Sequence, residues 1–219
     1  MEILFEIAVR YGGYIFGGIV LTLALAAGSM ALSLVAGLVI TLARISGVRI
    51  LAGAARLYID FIRGTPALLH LFLVYFGLPA IGIPIDPISA FILAFGLNGA
   101  AFMAEIYRSG INSVAGEQMD SAKALGMSYA LGMRRVILPQ AVYVILPPTA
   151  NLGISTVKDT SLALVIAIPE IMYRTYNVIS YTFESIALLF IAAAAYLVVT
   201  LPMSHLTAAL EARSRGTRH

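Results

Sequence analysis

Residues 15–43 contain no charged side chain, and this one run constrains the fold more than any other feature of the chain. As a helix it would rise about 44 Å at about 1.5 Å per residue. That exceeds the ~30 Å hydrocarbon core of a bilayer. In lipid every backbone N–H and C=O must be paired within the protein, which leaves helices and closed barrels as spanning structures. A continuous apolar run of this length fits the helix. The rest of the chain agrees, with 60% hydrophobic and 11% charged residues and a mean hydropathy of +0.94. A soluble domain carries about 25% charged residues. The expected solvent is a membrane.

Four further apolar runs are long enough to cross, at about 57–78, 88–106, 141–157 and 186–206. The reading is therefore an all-α polytopic membrane protein with five transmembrane helices in a single domain spanning 1–219. The N-terminal stretch carries Glu2 and Glu6 and lacks a basic region and cleavage site, so the first run is expected to stay as an anchor. Lys and Arg mark the cytoplasmic side of such proteins. Arg44, Arg49 and Arg56 separate the first two runs. Arg108, Lys123, Arg134 and Arg135 separate the third and fourth, and Arg213, Arg215 and Arg218 follow the fifth. The opposite side holds Arg10, Arg174 and Lys158. This predicts an outside N-terminus and a cytoplasmic C-terminus.

A formal net charge of +3 reads as topology signal here, so no nucleic-acid partner is expected. The chain has no cysteine, which excludes disulfides and thiolate metal sites. Its histidines, His70, His205 and His219, are scattered, and no metal site is expected. There is no GxxxxGK[ST] phosphate loop, no HExxH and no serine elbow. Neither an enzyme nor a self-powered pump is expected, and no cofactor.

Ionisable groups within apolar runs are costly and normally face a bundle interior or a water-filled path. Asp60 and Arg63 stand i, i+3 and are able to pair across one turn, just before Gly64, Thr65 and the helix-weakening Pro66. Asn98, Ala101, Glu105 and Arg108 share one face of the third run, with Glu105–Arg108 a second i, i+3 pair. Asn151, Ser155 and Lys158 form a stripe on the fourth, with Asp159 at its edge and Thr160 and Ser161 following. Two readings stay open for these groups: neutralising pairs between helices, or a path for a zwitterionic substrate. His70 reads as a buried hydrogen-bonded histidine, and Gly13–Gly17 as a GxxxG contact.

Residues 112–139 are too polar to span and rich in helix formers. An amphipathic helix is expected to start near Asp120 and end near Gly126, with Met119, Ala122, Leu125 and Met127 facing a partner's groove. At these residues the sequence resembles the EAA loop of ABC importer permeases. The resemblance is carried by Asp120, Ser121, Ala122 and Gly126, followed by Val136, Leu138 and Pro139. Asp replaces the usual Glu, Ser the first Ala, and Val the Ile, with size or charge kept. FIRGTP at 61–66, AEIYRS at 104–109, LPQA at 138–141 and KDTSL at 158–162 resemble the polar amino acid branch.

That resemblance implies the transmembrane domain of a type I importer, working by alternating access. Its partners would be a second permease subunit, identical or related, two ATP-binding subunits that hold ATP and Mg, and a soluble solute-binding protein. The rival readings are an ion-coupled secondary transporter of small polar solutes and a non-transporting membrane scaffold.

Overall fold

A computed structural model describes residues 2–216, all in helices or the turns between them. Of the basic tail expected at 213–219, Thr217, Arg218 and His219 lie outside the described residues. Helices α1 (Glu2–Phe16) and α2 (Ile19–Ile45) follow one another through Gly17 and Gly18. Next come α3 (Arg49–Gly64), α4 (Ala67–Tyr75), the single turn α5 (Gly77–Ala80) and the long α6 (Pro87–Ala124). A loop leads to α7 (Tyr129–Gly132), a π-helical turn at Met133–Ile137, and α8 (Leu138–Asp159). A 3₁₀ segment (Thr160–Ile166), α9 (Ile171–Thr182) and α10 (Ser185–Gly216) complete the fold.

Among the described residues four stretches are long and apolar enough to cross a membrane: Glu6–Ile45, Pro87–Ala124, Tyr129–Ile166 and Ser185–Ala209. The bent pair Arg49–Gly64 and Ala67–Ala80, whose axes differ by 108°, makes a fifth when the two helices are counted together. The run read as an unbroken span over 57–78 is thus two helices, and the first begins eight residues earlier, at Arg49. Pro66 is the cause. It donates no N–H and drives the preceding residue out of the helical region. Thr65 accordingly sits at φ −125°, ψ 153°.

The third run also departs from its expected end near 106. Helix α6 is 38 residues long, about 57 Å, and carries the polar residues after Glu105 without interruption. Ala, Glu, Gln, Met and Lys in that stretch are good helix formers, so loss of hydrophobicity does not end the helix. Its start is capped by Asp86, whose Oδ1 accepts from the Ser89 N–H at 3.0 Å, with Pro87 in the first turn.

Helices α2 and α6 make the central contact. Lipid tails are as apolar as leucine, so close packing and hydrogen bonds must hold membrane helices together. Along α2 the buried positions Ser29, Ser33, Gly37 and Thr41 recur every four residues. They meet Gly96, Gly99, Ala100, Met103 and Ala104 of α6, several of them small. A methyl group on Gly99 would lie 2.2 Å from Ser33 Oγ, and one on Gly37 would lie 2.5 Å from Met103 Cβ. The Ser33 hydroxyl is shared between the Ser29 carbonyl of its own helix at 2.8 Å and the Gly96 carbonyl of α6 at 2.9 Å, while Thr41 donates chiefly to the Gly37 carbonyl at 2.7 Å, with the Ala104 carbonyl of α6 at 3.3 Å.

A second cluster joins α1, α9 and α10 through Ile15, Ile171, Val178, Leu188 and Ala195. Here the GxxxG expectation is corrected. Nothing approaches the Cβ position of Gly13, and a Cβ on Gly17 would meet the Arg174 guanidinium, at 2.8 Å, rather than a neighbouring helix backbone; a Cβ on Gly18 would sit 2.6 Å from the Ile171 backbone nitrogen. Gly18 lets the start of α9 lie against the α1–α2 junction. Glu170 caps that start, accepting from the Tyr173 N–H at 2.8 Å and from the Tyr196 hydroxyl at 2.7 Å while fully buried.

Two predictions follow from this packing. Gly99→Val overpacks the α2–α6 contact and should destabilise by about 1–3 kcal/mol. It should lower the unfolding temperature in detergent, while Gly116→Ala, where nothing lies within 4 Å, should not. Equal melting of the two variants would contradict the account. Burial pushes the Glu170 carboxyl above its ordinary range, against hydrogen bonds from Tyr196 and the backbone that pull it down. The folded protein then keeps this proton to higher pH than the unfolded chain does. Its contribution to stability is present in acid and is lost as pH rises from the ordinary carboxylate range through the raised value. Glu170→Gln should flatten that dependence in melting curves recorded across pH; an unaltered slope would refute the assignment.

Candidate substrate cavity and coupling loop

The break between α3 and α4 leaves backbone groups without helical partners, because the last four carbonyls of a helix have none within it. Thr65 meets one of them, its hydroxyl donating to the Phe61 carbonyl at 2.7 Å. The same oxygen lies 2.7 Å from Nε2 of His70, on the first turns of α4. The other ring nitrogen, Nδ1, lies 3.0 Å from Nδ2 of Asn98 on α6. His70 therefore ties the break to the neighbouring span.

A cavity of about 350 Å³ opens at this point, between the break, α6 and α8. Its polar wall is made by Arg63 and Thr65 at the break, Asn98 on α6, and Ser155, Thr156 and Asp159 on α8. Its apolar wall includes Ile62, Phe95, Phe102 and Leu152. The Arg63 guanidinium lies 5.7 Å from the centre of the Phe102 ring, a cation–π contact across two helices. A guanidinium and a carboxylate thus share a cavity lined largely by aromatic and aliphatic groups.

Five residues picked out by their spacing come together on this wall: Arg63, Thr65, Asn98, Ser155 and Asp159. Gly64 lies beside them in the break, with open space at its Cβ position. The others lie off the wall. Asn151 turns towards α10, its Nδ2 3.5 Å from Glu211 Oε1. Thr160 is buried and donates to the Val157 carbonyl at 2.8 Å. Lys158 is exposed and Ser161 half-buried.

The ion pairs also differ from the spacing argument. Among the described residues Asp60 makes no ion pair, because Arg63 turns to Phe102 instead. Nor does Lys158 or Asp159 pair with a charge on a neighbouring helix. Glu105 and Arg108 do meet, at 2.8 and 3.1 Å, and Arg44 of α2 bonds the other oxygen of Glu105. Arg44 reads in the sequence only as a topology signal. The signal that finds it is three-dimensional, since α2 and α6 run together and bring residue 44 to residue 105.

The loop after α6 has its own local logic. Gly126 adopts φ +78°, the left-handed conformation that favours glycine. The Met127 N–H donates to the Ala122 carbonyl at 3.0 Å and the Gly126 N–H to Lys123 at 2.9 Å, the paired bonds of a Schellman cap. Ser128 caps the next helix, accepting from the Leu131 N–H at 3.4 Å. The expected separate helix from Asp120 is instead the last turn of α6. The expected partner-facing positions divide as well. Met119 and Ala122 are buried against Gly132, whereas Leu125 is 78% exposed and Met127 half-buried; Tyr129, not among the expected positions, is 62% exposed beside them. Asp120 and Ser121 are exposed, and the Asp120–Lys123 pair at 3.8 Å is too open to contribute much. Val136 is half-buried in the π-helical turn; Leu138 and Pro139 are exposed just after it. Pro139 explains that turn, since it lacks the N–H that would close a regular one on Arg135.

With this geometry in hand, comparisons with known proteins give a consistent answer. The family described as binding-protein-dependent transport system inner membrane component matches residues 33–216. The probable amino-acid ABC transporter permease protein YckA of Bacillus subtilis is 42% identical over 167 residues, covering 76% of this chain and 74% of its own. The arginine transport system permease protein ArtQ of the same organism is 34% identical over 204 residues, 93% of each chain. A crystal structure of an amino acid ABC transporter with histidines superposes with a TM-score of 0.89 at 35% identity, over 94% of this chain and 96% of that one. The chain belongs to the inner membrane components of binding-protein-dependent transport systems: it is a multi-pass permease subunit of an ABC importer, which relies on a partner ATPase and a binding protein.

Proposed function

We propose that this subunit carries amino acids across the inner membrane, and that the cavity at the Thr65–Pro66 break is their path. The observation that carries the proposal is the composition of the wall. Arg63 offers a cation, Asp159 a carboxylate, and Asn98 and Ser155 neutral hydrogen-bonding groups, all around one space of about 350 Å³. An amino acid zwitterion presents the complementary pair of charges. The relatives' names, amino-acid and arginine permeases, point the same way.

The loop around Gly126 is the proposed docking element for the ATPase. Leu125 and Tyr129 present apolar surface at the tip of a two-helix hairpin, the form a helix-in-groove contact requires. Asp120, Ser121 and Ala122 shape that tip, and Leu138 and Pro139 set its return. The arginines flanking the loop support a cytoplasmic position for it, with the C-terminus on the same side and the N-terminus on the other. The assembly we infer has two such permeases, identical or related, above two ATPases that bind ATP and Mg. Closure of the ATPases would draw the paired loops together and turn the cavity from inward-open to outward-open, a two-state exchange driven by differential binding.

Two measurements test this reading in proteoliposomes holding the complete importer. A hydrogen bond to a charged group contributes about 1.5–3 kcal/mol, so Asp159→Asn should lower uptake of labelled amino acid by about tenfold to a hundredfold. The ATPase should still co-purify. Unchanged uptake would remove Asp159 from the path. Leu125→Glu, which puts a charge on the docking tip, should release the ATPase without altering membrane insertion. Normal co-purification would remove the loop from the interface.

A further inference from the structure

The donors and acceptors around His70 can be followed from the helix break to the cavity, and they leave one open position. The Phe61 carbonyl belongs to the last turn of α3 and has lost its helical partner. Thr65 spends its single hydroxyl proton on that carbonyl, at 2.7 Å. The Thr65 oxygen can then only accept from His70, so Nε2, 2.7 Å away, carries the ring proton. The ring is 5% exposed, with the Phe61 ring 6.1 Å from it and no carboxylate hydrogen-bonded to it among the described residues. A neutral imidazole protonated at Nε2 has its lone pair at Nδ1. That atom accepts from Nδ2 of Asn98 at 3.0 Å. The amide is thereby oriented, and its carbonyl oxygen makes no hydrogen bond among the described residues while Asn98 lines the cavity.

We propose that His70 is a positioning residue for transport: it holds the Asn98 amide so that the cavity meets a hydrogen-bond acceptor at that point, a site for the substrate's ammonium or another N–H donor. The inference rests on the reading of the cavity as the substrate path. Asp159 stands on the same wall as a second acceptor, and Arg63 supplies the complementary donor for a carboxylate. His70 itself is not part of the wall. It acts through Asn98, and its orientation depends on Thr65 and hence on the break made by Pro66.

The test uses the complete importer in proteoliposomes with saturating loaded binding protein, and reads labelled L-arginine, L-histidine or L-glutamine transported per ATP hydrolysed. A glutamine side chain, like this imidazole, can donate to Thr65 and accept from Asn98 at once. His70→Gln should therefore keep transport per ATP near that of the unsubstituted protein. His70→Leu should lose about tenfold while ATP hydrolysis continues. Asn98→Asp has acceptor oxygens at both ends, so adding His70→Leu to it should cost far less than His70→Leu alone. Equal defects in His70→Gln and His70→Leu would overturn the proposal, as would a His70→Leu variant with normal transport. If Asn98→Leu transports normally, the cavity is not the path and the earlier reading falls with this one. If Asn98→Leu is defective and His70→Leu is not, only the role of His70 falls. Nitrogen-15 spectra of histidine-labelled protein, with His70→Gln to assign the signal, decide the matter even if His70→Leu does not assemble. A protonated Nε2 and bare Nδ1 are expected, and a proton on Nδ1 would refute the proposal.

Discussion

The α2–α6 contact is the interaction on which the rest of this structure depends. Two long helices meet along a seam of Ser33, Gly37 and Thr41 against Gly96, Gly99 and Ala104, with side-chain hydroxyls bonding main-chain carbonyls across it. In a bilayer no hydrophobic gain pulls helices together, so such close approach and directional bonding must do it. The seam puts Arg44 against Glu105 and presents the Asn98 face of α6 to the break between α3 and α4. The cavity and the ion cluster both depend on this one register.

The break is where the fold acquires its chemistry. A continuous second span would satisfy its own backbone and offer little to a polar solute. Pro66 removes a donor, Thr65 becomes extended, and the freed Phe61 carbonyl recruits the Thr65 hydroxyl. Everything polar that follows, from His70 to Asn98, is the working-out of that missing N–H. Non-helical backbone at membrane depth is tolerated where protein or a water-filled cavity surrounds it, and this one borders a cavity.

Much of this was legible in the sequence. The uncharged run at 15–43 requires a membrane, and the Pro66 position announces an interruption. Spacing brought Asn98, Ser155 and Asp159 forward as polar groups in apolar runs, and the structure gathers them with Arg63 and Thr65. Spacing failed where a nearer or stronger partner existed. Asp60 and Arg63 have the right interval for a pair, but the Phe102 ring takes the guanidinium. Asn151 and Lys158 share a stripe with Ser155, yet a stripe spans more of the helix surface than a cavity reaches. Met119 and Ala122 look like partner-facing positions until the hairpin folds them against Gly132.

By itself the sequence determined the solvent, the all-helical class, the approximate spans, the Gly126 turn and the family, because these rest on hydropathy, local backbone rules and short motifs. The tertiary structure decided the 108° angle of the broken span, the Arg44–Glu105–Arg108 cluster, the burial of Met119 and Ala122, and the His70 link from Thr65 to Asn98. Each of these depends on which residues of distant segments come within hydrogen-bond or van der Waals reach. That is set by the α2–α6 register and the direction of the break, and no periodicity within a single helix encodes it.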